Sequence, residues 1–192
     1  MKFGTDGVRG VANLDLTASF ALELGRAAAR VLAPIGDERC EAVVGGDTRV
    51  STAMLEAAFV AGLASEGVVV HRLGVVPTPV VAFECQRRNA IGAVISASHN
   101  PYRDNGIKLF ARGGTKLPDP VEREVERVVV SLDAPTAEPA QLFDIEASTA
   151  YAVHVRSTGS GSLVPPRANS LMPLSRYGLC DAEITAPMAL RR

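Results

Sequence analysis

Three short apolar runs, Glu41 to Gly46, Val68 to His71 and Ile91 to Ile95, alternate with longer stretches of helical period, and this alternation constrains the fold more than any other feature. Thr17 is placed to cap a helix that runs to about Leu32, with Phe20, Leu24, Ala27, Ala28 and Val31 on one face. Pro34 and Gly36 end it. Ser51 is placed to cap a helix from Thr52 to Ser65 that carries Leu55, Phe59, Gly62 and Leu63 on one side and stops at Gly67. Thr78-Pro79 reads as an N-cap followed by proline at the first helical position, with the helix running to Arg88. Gly106 to Ala111 reads as a further strand. Pro118 to Leu132 reads as an amphipathic helix with Val121, Val125, Val128 and Leu132 inward and Glu122, Arg123, Glu126 and Arg127 outward. Apolar strands joined by helices predict an α/β fold, a mixed, mostly parallel sheet between helices. Residues 133–147 show no clear period and read as the exit from a domain spanning 1–150. Residues 151–192, broken by Gly159-Ser160-Gly161-Ser162, are expected to be an irregular, disordered tail, the aborted start of a second domain.

Composition excludes several classes. With 192 residues, 47% hydrophobic and 21% charged, the chain has material for one domain with a full core. Its net charge of −1, without a dense basic block, argues against nucleic acid as a partner. No apolar run approaches the roughly 18 residues that cross a bilayer, so no membrane association is expected. The polar, glycine-containing opening lacks the apolar core of an export signal, and the expected location is the cytoplasm. The 3 cysteines, Cys40, Cys85 and Cys180, are widely spaced and form no CxxC pair, which suggests neither a disulfide framework nor a zinc site. The sequence does not speak to oligomeric state.

Behind the run ending at Ile95, the stretch Ser96-Ala97-Ser98-His99-Asn100-Pro101-Tyr102-Arg103-Asp104-Asn105-Gly106-Ile107-Lys108 gathers hydroxyls, an imidazole, amides, carboxylates and an ammonium. A buried strand that delivers such groups to a sharply turning backbone is a common way to build a reactive loop. The same residue types are the commonest turn formers, so composition alone leaves an ordinary turn open. The opening Phe3-Gly4-Thr5-Asp6-Gly7-Val8-Arg9-Gly10 is too glycine-rich for a helix. Arg9 among glycines reads as an anion clamp, against the alternative of a frayed terminus.

Together these two stretches resemble the α-D-phosphohexomutase superfamily, and Thr5-Asp6-Gly7-Val8-Arg9 with Asp104-Asn105-Gly106-Ile107-Lys108 is most similar to its bacterial phosphoglucosamine mutases. Gly46-Asp47-Thr48-Arg49, Pro77-Thr78-Pro79 and Gly114-Thr115-Lys116-Leu117 support the resemblance, which covers residues 2 to about 158. It implies an isomerase, an intramolecular phosphotransferase, that interconverts glucosamine 6-phosphate and glucosamine 1-phosphate in cell-wall precursor synthesis. A phosphoserine enzyme and a bisphosphate intermediate carry the reaction, with a sugar bisphosphate as activator and one Mg²⁺ per site. By resemblance Ser98 carries the phosphoryl group and, through it, one metal ligand. His99 and Lys108 are candidates for proton transfer, and Arg9 for a basic group beside the loop. The alternatives are that His99 orients the loop and that Lys108 is a solvated edge lysine. Ser96 reads as the end of the strand. Asn100 and Asn105 read as turn builders, Arg49 as structural, and His71 and His154 as ordinary.

Members of the superfamily have four domains and about twice this length. Their Asp-Gly-Asp-x-Asp-Arg metal loop, Gly-Glu-x-Ser-Gly sugar loop and C-terminal phosphate loop have no counterpart here. The expectation is a truncated, incomplete form that is inactive alone. The rival expectations are a fragment of a phosphomannomutase or phosphoglucomutase and a non-catalytic domain that binds a phosphosugar.

Overall fold

A computed structural model describes residues 4, 7–33, 40–135, 137–145 and 151. Its elements are β1 (Val8–Val11), α1 (Ala18–Leu32), β2 (Glu41–Gly46), α2 (Thr52–Ser65), β3 (Val69–Val75), α3 (Thr78–Arg88), β4 (Ile91–Ile95), β5 (Asp104–Phe110), α4 (Asp119–Val130) and β6 (Leu142–Asp144). The strands form one sheet in the order β1-β5-β4-β2-β3-β6. Pairings β4-β2, β2-β3 and β3-β6 are parallel, while β5 runs antiparallel to both β4 and β1. This is the expected mixed sheet between helices; its parallel part, β4-β2-β3-β6, runs from the buried central strands β4 and β2 to the exposed edge strand β6.

Alternation along each strand divides the core. Ala42, Val44, Ala93, Ile95, Ile107 and Leu109 face α1, α2 and α4, whereas Val43, Val94 and Phe110 face α3. Tyr151 is buried on the α3 side and meets Phe83 edge-on, with ring centres 5.7 Å apart. The pair α1 and α2 approaches closely because both helices carry glycine at the crossing. A Cβ on Gly25 would stand 2.2 Å from the Phe59 carbonyl oxygen, and one on Gly62 would stand 2.2 Å from that of Leu22.

Several local expectations are corrected. Thr17 caps α1, accepting the Phe20 N–H at 3.2 Å, but Ser51 has helical dihedrals and makes no capping bond to α2. Its hydroxyl instead accepts from the Asn105 amide at 2.9 Å. Pro77, with no side-chain acceptor, takes the cap position of α3, so Thr78 is its first helical residue. The third strand continues past His71 to Val75, because the β2 partner continues alongside it. Glu122 is buried, not outward. The Lys116 ammonium lies 3.5 Å from its carboxylate, where burial would otherwise leave that charge uncompensated. Residues 133–147 are more than an exit, since β6 adds an edge strand beside β3. His71 has neighbours too: its Nε2 lies 2.9 Å from Glu41, and its ring stacks on Phe143 of β6. Within the opening segment, which was expected not to be a helix and to hold either an anion clamp or a frayed terminus, Val8–Val11 forms a strand. Gly7 takes φ 88°, where a Cβ would meet the Ile107 carbonyl oxygen at 2.3 Å, and Val8–Val11 then pairs with β5. The expected tail, with His154 and Cys180, lies outside the described residues apart from Tyr151.

Among the described residues no helix is long and apolar enough to cross a membrane. The α1–α2 crossing yields a direct test. Gly62→Ala should lower the unfolding free energy by at least about 1–3 kcal/mol through overpacking against backbone that cannot swing away. Urea denaturation would register this as a lower midpoint with an unchanged slope.

Candidate active site

The carboxyl ends of the parallel strands β2, β3 and β4 meet at one edge of the sheet, where ligands of open α/β folds bind. A cleft of about 450 Å³ opens there, lined by Asp47, Thr48 and Arg49 after β2, Val75 to Thr78 after β3, and Ser96, Ser98 and His99 after β4. Ser98 and His99 are both exposed to it.

Backbone geometry separates the two serines. Among the described residues Ser98 is one of three non-glycine residues with positive φ, at 55°, a conformation that costs about 1 kcal/mol or more and persists only where its surroundings enforce it. Its N–H donates to Ser96 Oγ at 3.0 Å, and the Ser96 hydroxyl in turn donates to Asp47. Ser96 is therefore engaged as a brace, while the Ser98 side chain projects from the turn. Arg49 holds that turn from the other side. Its Nη2 donates to the carbonyl oxygens of Ser98 at 2.9 Å and Asn100 at 3.0 Å, and its Nη1 to those of Pro101 at 2.7 Å and Asp104 at 3.1 Å.

Asp47 orients the arginine. Its Oδ2 accepts from Arg49 Nε at 3.0 Å, while Oδ1 accepts from the Arg49 backbone N–H at 3.0 Å and the Thr52 hydroxyl at 2.8 Å. Burial pushes the Asp47 carboxyl up, but hydrogen bonds from Ser96, the Arg49 backbone, Thr52 and the Arg49 side chain outweigh it and hold the group below the ordinary carboxylate range. The network continues inward. Asn105, fully buried, donates to Thr52 Oγ1 at 3.1 Å and accepts the Gly106 N–H at 2.8 Å. Asn105 is thus a core strut tying β5 to α2, a stronger role than turn building.

The other expected site residues lie on the same face of the sheet. Arg9 of β1 pairs in register with Gly106 of β5, and its Nη1 donates to the Asn100 side-chain oxygen at 3.4 Å. Lys108 sits in the middle of β5, opposite Val94, with its ammonium 5.7 Å from the centre of the Phe110 ring. Ser98 and His99 therefore share the cleft, Arg9 reaches the loop from beside it, and Lys108 does not line the cleft. The sequence reads Arg49 as structural without linking it to the loop, which its guanidinium braces. The signal that could have found it was the Gly46-Asp47-Thr48-Arg49 stretch, which the parallel pairing of β2 and β4 carries to the loop. Tyr102 also lines the cleft, its hydroxyl accepting the Val50 N–H at 3.2 Å.

The family model for the phosphoglucomutase/phosphomannomutase alpha/beta/alpha domain I matches residues 1–135. The chain belongs to this family. Among its relatives is the phosphoglucosamine mutase of Moorella thermoacetica, 51% identical over 168 residues, covering 84% of this chain and 38% of that protein. That of Acidothermus cellulolyticus is 48% identical over 200 residues, covering 99% of this chain, beyond the span in which the motifs carry the resemblance, and 42% of its own length. A solved phosphoglucomutase/phosphomannomutase family protein from Burkholderia thailandensis superposes with a TM-score of 0.72 at 28% identity, over 81% of this chain and 35% of that one. The chain spans less than half the length of each of these relatives.

A resident Mg²⁺ does not fit the described residues as a complete site. Among them no group of three or more His, Cys, Asp or Glu side chains could hold a metal ion, and Asp47, the carboxylate lining the cleft, already serves Arg49, Thr52 and Ser96.

Because the Asp47 carboxyl is held below its ordinary value of 3.8, its contribution to the turn is complete above that value and lost as the pH falls through the lower folded value. The amide resonance of Ser98 should therefore show a step in acid below about pH 4, the range set by the carboxylate reference value. Asp47→Asn should displace that resonance and abolish this acid step.

Proposed function

We propose that this chain supplies the phosphoserine-bearing domain of a phosphoglucosamine mutase, an intramolecular phosphotransferase that interconverts glucosamine 6-phosphate and glucosamine 1-phosphate. The observation that carries the reading is the state of Ser98: its backbone N–H and C=O are both tied, its φ is 55°, and it stands exposed in a cleft that His99 also lines. The relatives near 50% identity named phosphoglucosamine mutase favour glucosamine over the mannose and glucose phosphates.

In this reading phospho-Ser98 gives its phosphoryl group to a sugar hydroxyl. The Oγ–P bond breaks as the bond to the sugar oxygen forms; the sugar hydroxyl gives up its proton and the departing Ser98 Oγ takes one up, with His99, or Lys108 after a movement of its side chain, carrying the exchange. The bisphosphate reorients and returns its other phosphoryl group to Ser98 by the reverse step. Arg9, beside the loop, offsets phosphate charge. Mg²⁺ would supply further charge neutralisation, with the phosphoryl oxygens of Ser98 as its ligand from this chain, and a sugar bisphosphate would load the serine. Charged sugar phosphates as substrates and the cytoplasm as location belong to the same reading. Ser98 stands exposed, and phosphoryl transfer in competition with water needs cover and further charge, so the described residues alone should not sustain turnover.

Intact-mass analysis after incubation with glucose 1,6-bisphosphate tests the loop directly. One added phosphoryl group should appear, map to Ser98, disappear in Ser98→Ala and persist in Ser96→Ala. Modification on Ser96, or none at all, would reject the assignment.

A further inference from the structure

The guanidinium of Arg49 has spent its whole hydrogen-bonding capacity inside the protein. A guanidinium carries five N–H donors. Nε donates to Asp47, Nη1 to Pro101 and Asp104, and Nη2 to Ser98 and Asn100. The side chain is only 8% exposed although Arg49 lines the cleft. A buried cation in a phosphosugar site invites the role of phosphate ligand, but here no donor remains for a phosphate.

Four of those bonds go to backbone carbonyls of one turn after β4, 49 to 55 residues along the chain from Arg49. Carbonyl oxygens converging on one point repel each other unless a cation lies between them, and the planar fork fixes both their distances and their directions. One of the four belongs to Ser98 itself, whose N–H is fixed from the opposite side by Ser96 Oγ. The peptide groups on both sides of the strained Ser98 dihedral are therefore clamped, by Arg49 after it and by Ser96 before it. Asp47 holds both clamps, through Arg49 Nε and through the Ser96 hydroxyl.

We propose that Arg49 is a positioning residue for phosphoryl transfer at Ser98, holding the turn at the dihedral that aims Oγ into the cleft, and that it does not bind phosphate. The role rests on the phosphoserine reading above. In the loading step the Ser98 Oγ–P bond forms as a P–O bond to the sugar bisphosphate breaks, and the serine proton passes to the departing sugar oxygen. Arg49 takes no part in these bond changes. It sets the line along which they occur, where a misplacement of about 1 Å costs about a hundredfold in rate.

Three measurements on the full chain test this. In the unaltered protein, nitrogen-15 NMR should resolve separate, slowly exchanging Nη protons for Arg49, and inorganic phosphate should leave its Nε resonance in place; a freely rotating, phosphate-responsive guanidinium would overturn the proposal. Arg49→Lys keeps the charge and the stem but cannot span four carbonyls. It should lower hydrogen-exchange protection of the Ser98, Asn100 and Asp104 amides about tenfold while α1 and α2 keep theirs. It should also slow Ser98 phosphorylation by glucose 1,6-bisphosphate about a hundredfold. Wild-type protection in the turn, or wild-type phosphorylation, refutes the positioning role. Should the unaltered chain take up no phosphoryl group, the phosphoserine reading fails, and the resonance and exchange measurements still decide whether Arg49 holds the turn.

Discussion

Everything at the cleft depends on one carboxylate. Asp47 follows the last residue of β2, and its backbone N–H donates to the Ile95 carbonyl oxygen at 3.1 Å, so the loops after β2 and β4 are stitched together where the sheet ends. From that point the side chain gathers a hydroxyl from α2, a hydroxyl from the loop after β4, and the guanidinium that holds the loop's far side. A charged acceptor with several donors is worth more than the same number of neutral bonds, and half-burial strengthens it further. Removing the carboxylate would release both restraints on Ser98 together, so in the proposed reading a residue with no place in the bond changes governs where they occur.

The sheet is what makes this meeting possible. Parallel pairing of β2 with β4 brings Gly46 beside Ile95, and antiparallel pairing of β4 with β5 returns the chain so that Gly106 lies beside Ser96 and Arg9 beside Gly106. A Cβ at Gly106 would stand 2.8 Å from the Ser96 carbonyl oxygen and 3.0 Å from Arg9 Cγ, so the absence of a side chain there admits the arginine. Behind the sheet, Asn105 anchors the return strand to α2 by buried hydrogen bonds, so α2, β2 and β5 reach the loop as one rigid body. The reactive turn has few rotatable parts because its supports were fixed by the core.

The sequence made legible whatever depends on period and local chemistry. The bounds of β2, α2 and β4 were readable because apolar runs end at charged or turn-forming residues, and Thr17 was readable as a cap because its acceptor serves its own helix. What was not readable depends on neighbours far along the chain. Ser51 looks like a cap, yet the Asn105 amide claims its hydroxyl. Glu122 looks like an outward charge until Lys116 folds over it. Val8–Val11 is a strand because β5 offers it an edge, which a glycine-rich segment does not announce. Arg49 is the clearest instance: its partners are carbonyls, which leave no trace in residue type. Ser98 and His99 were legible as a pair only through the stretch they share. The division between an engaged Ser96 and a projecting Ser98 needed the backbone.

The same geometry separates preparation from reaction. Preorganisation of Ser98 is complete within the described residues, since every restraint on its backbone comes from this sheet and its loops. Exclusion of water is not. Val50, Val75 and Tyr102 stand 82%, 67% and 62% exposed at or near the rim, apolar surface whose burial would favour cover over the cleft. In a site primed for transfer, water that reaches a phosphoserine competes with the sugar for its group, whereas a phosphoserine held rigid beneath a cover spends it on the hydroxyl positioned in line. Rigidity and cover therefore act on different competitors: the first sets the rate of transfer to the sugar, the second suppresses transfer to water. In the proposed reading the described residues supply the first, and turnover depends on what closes over the cleft.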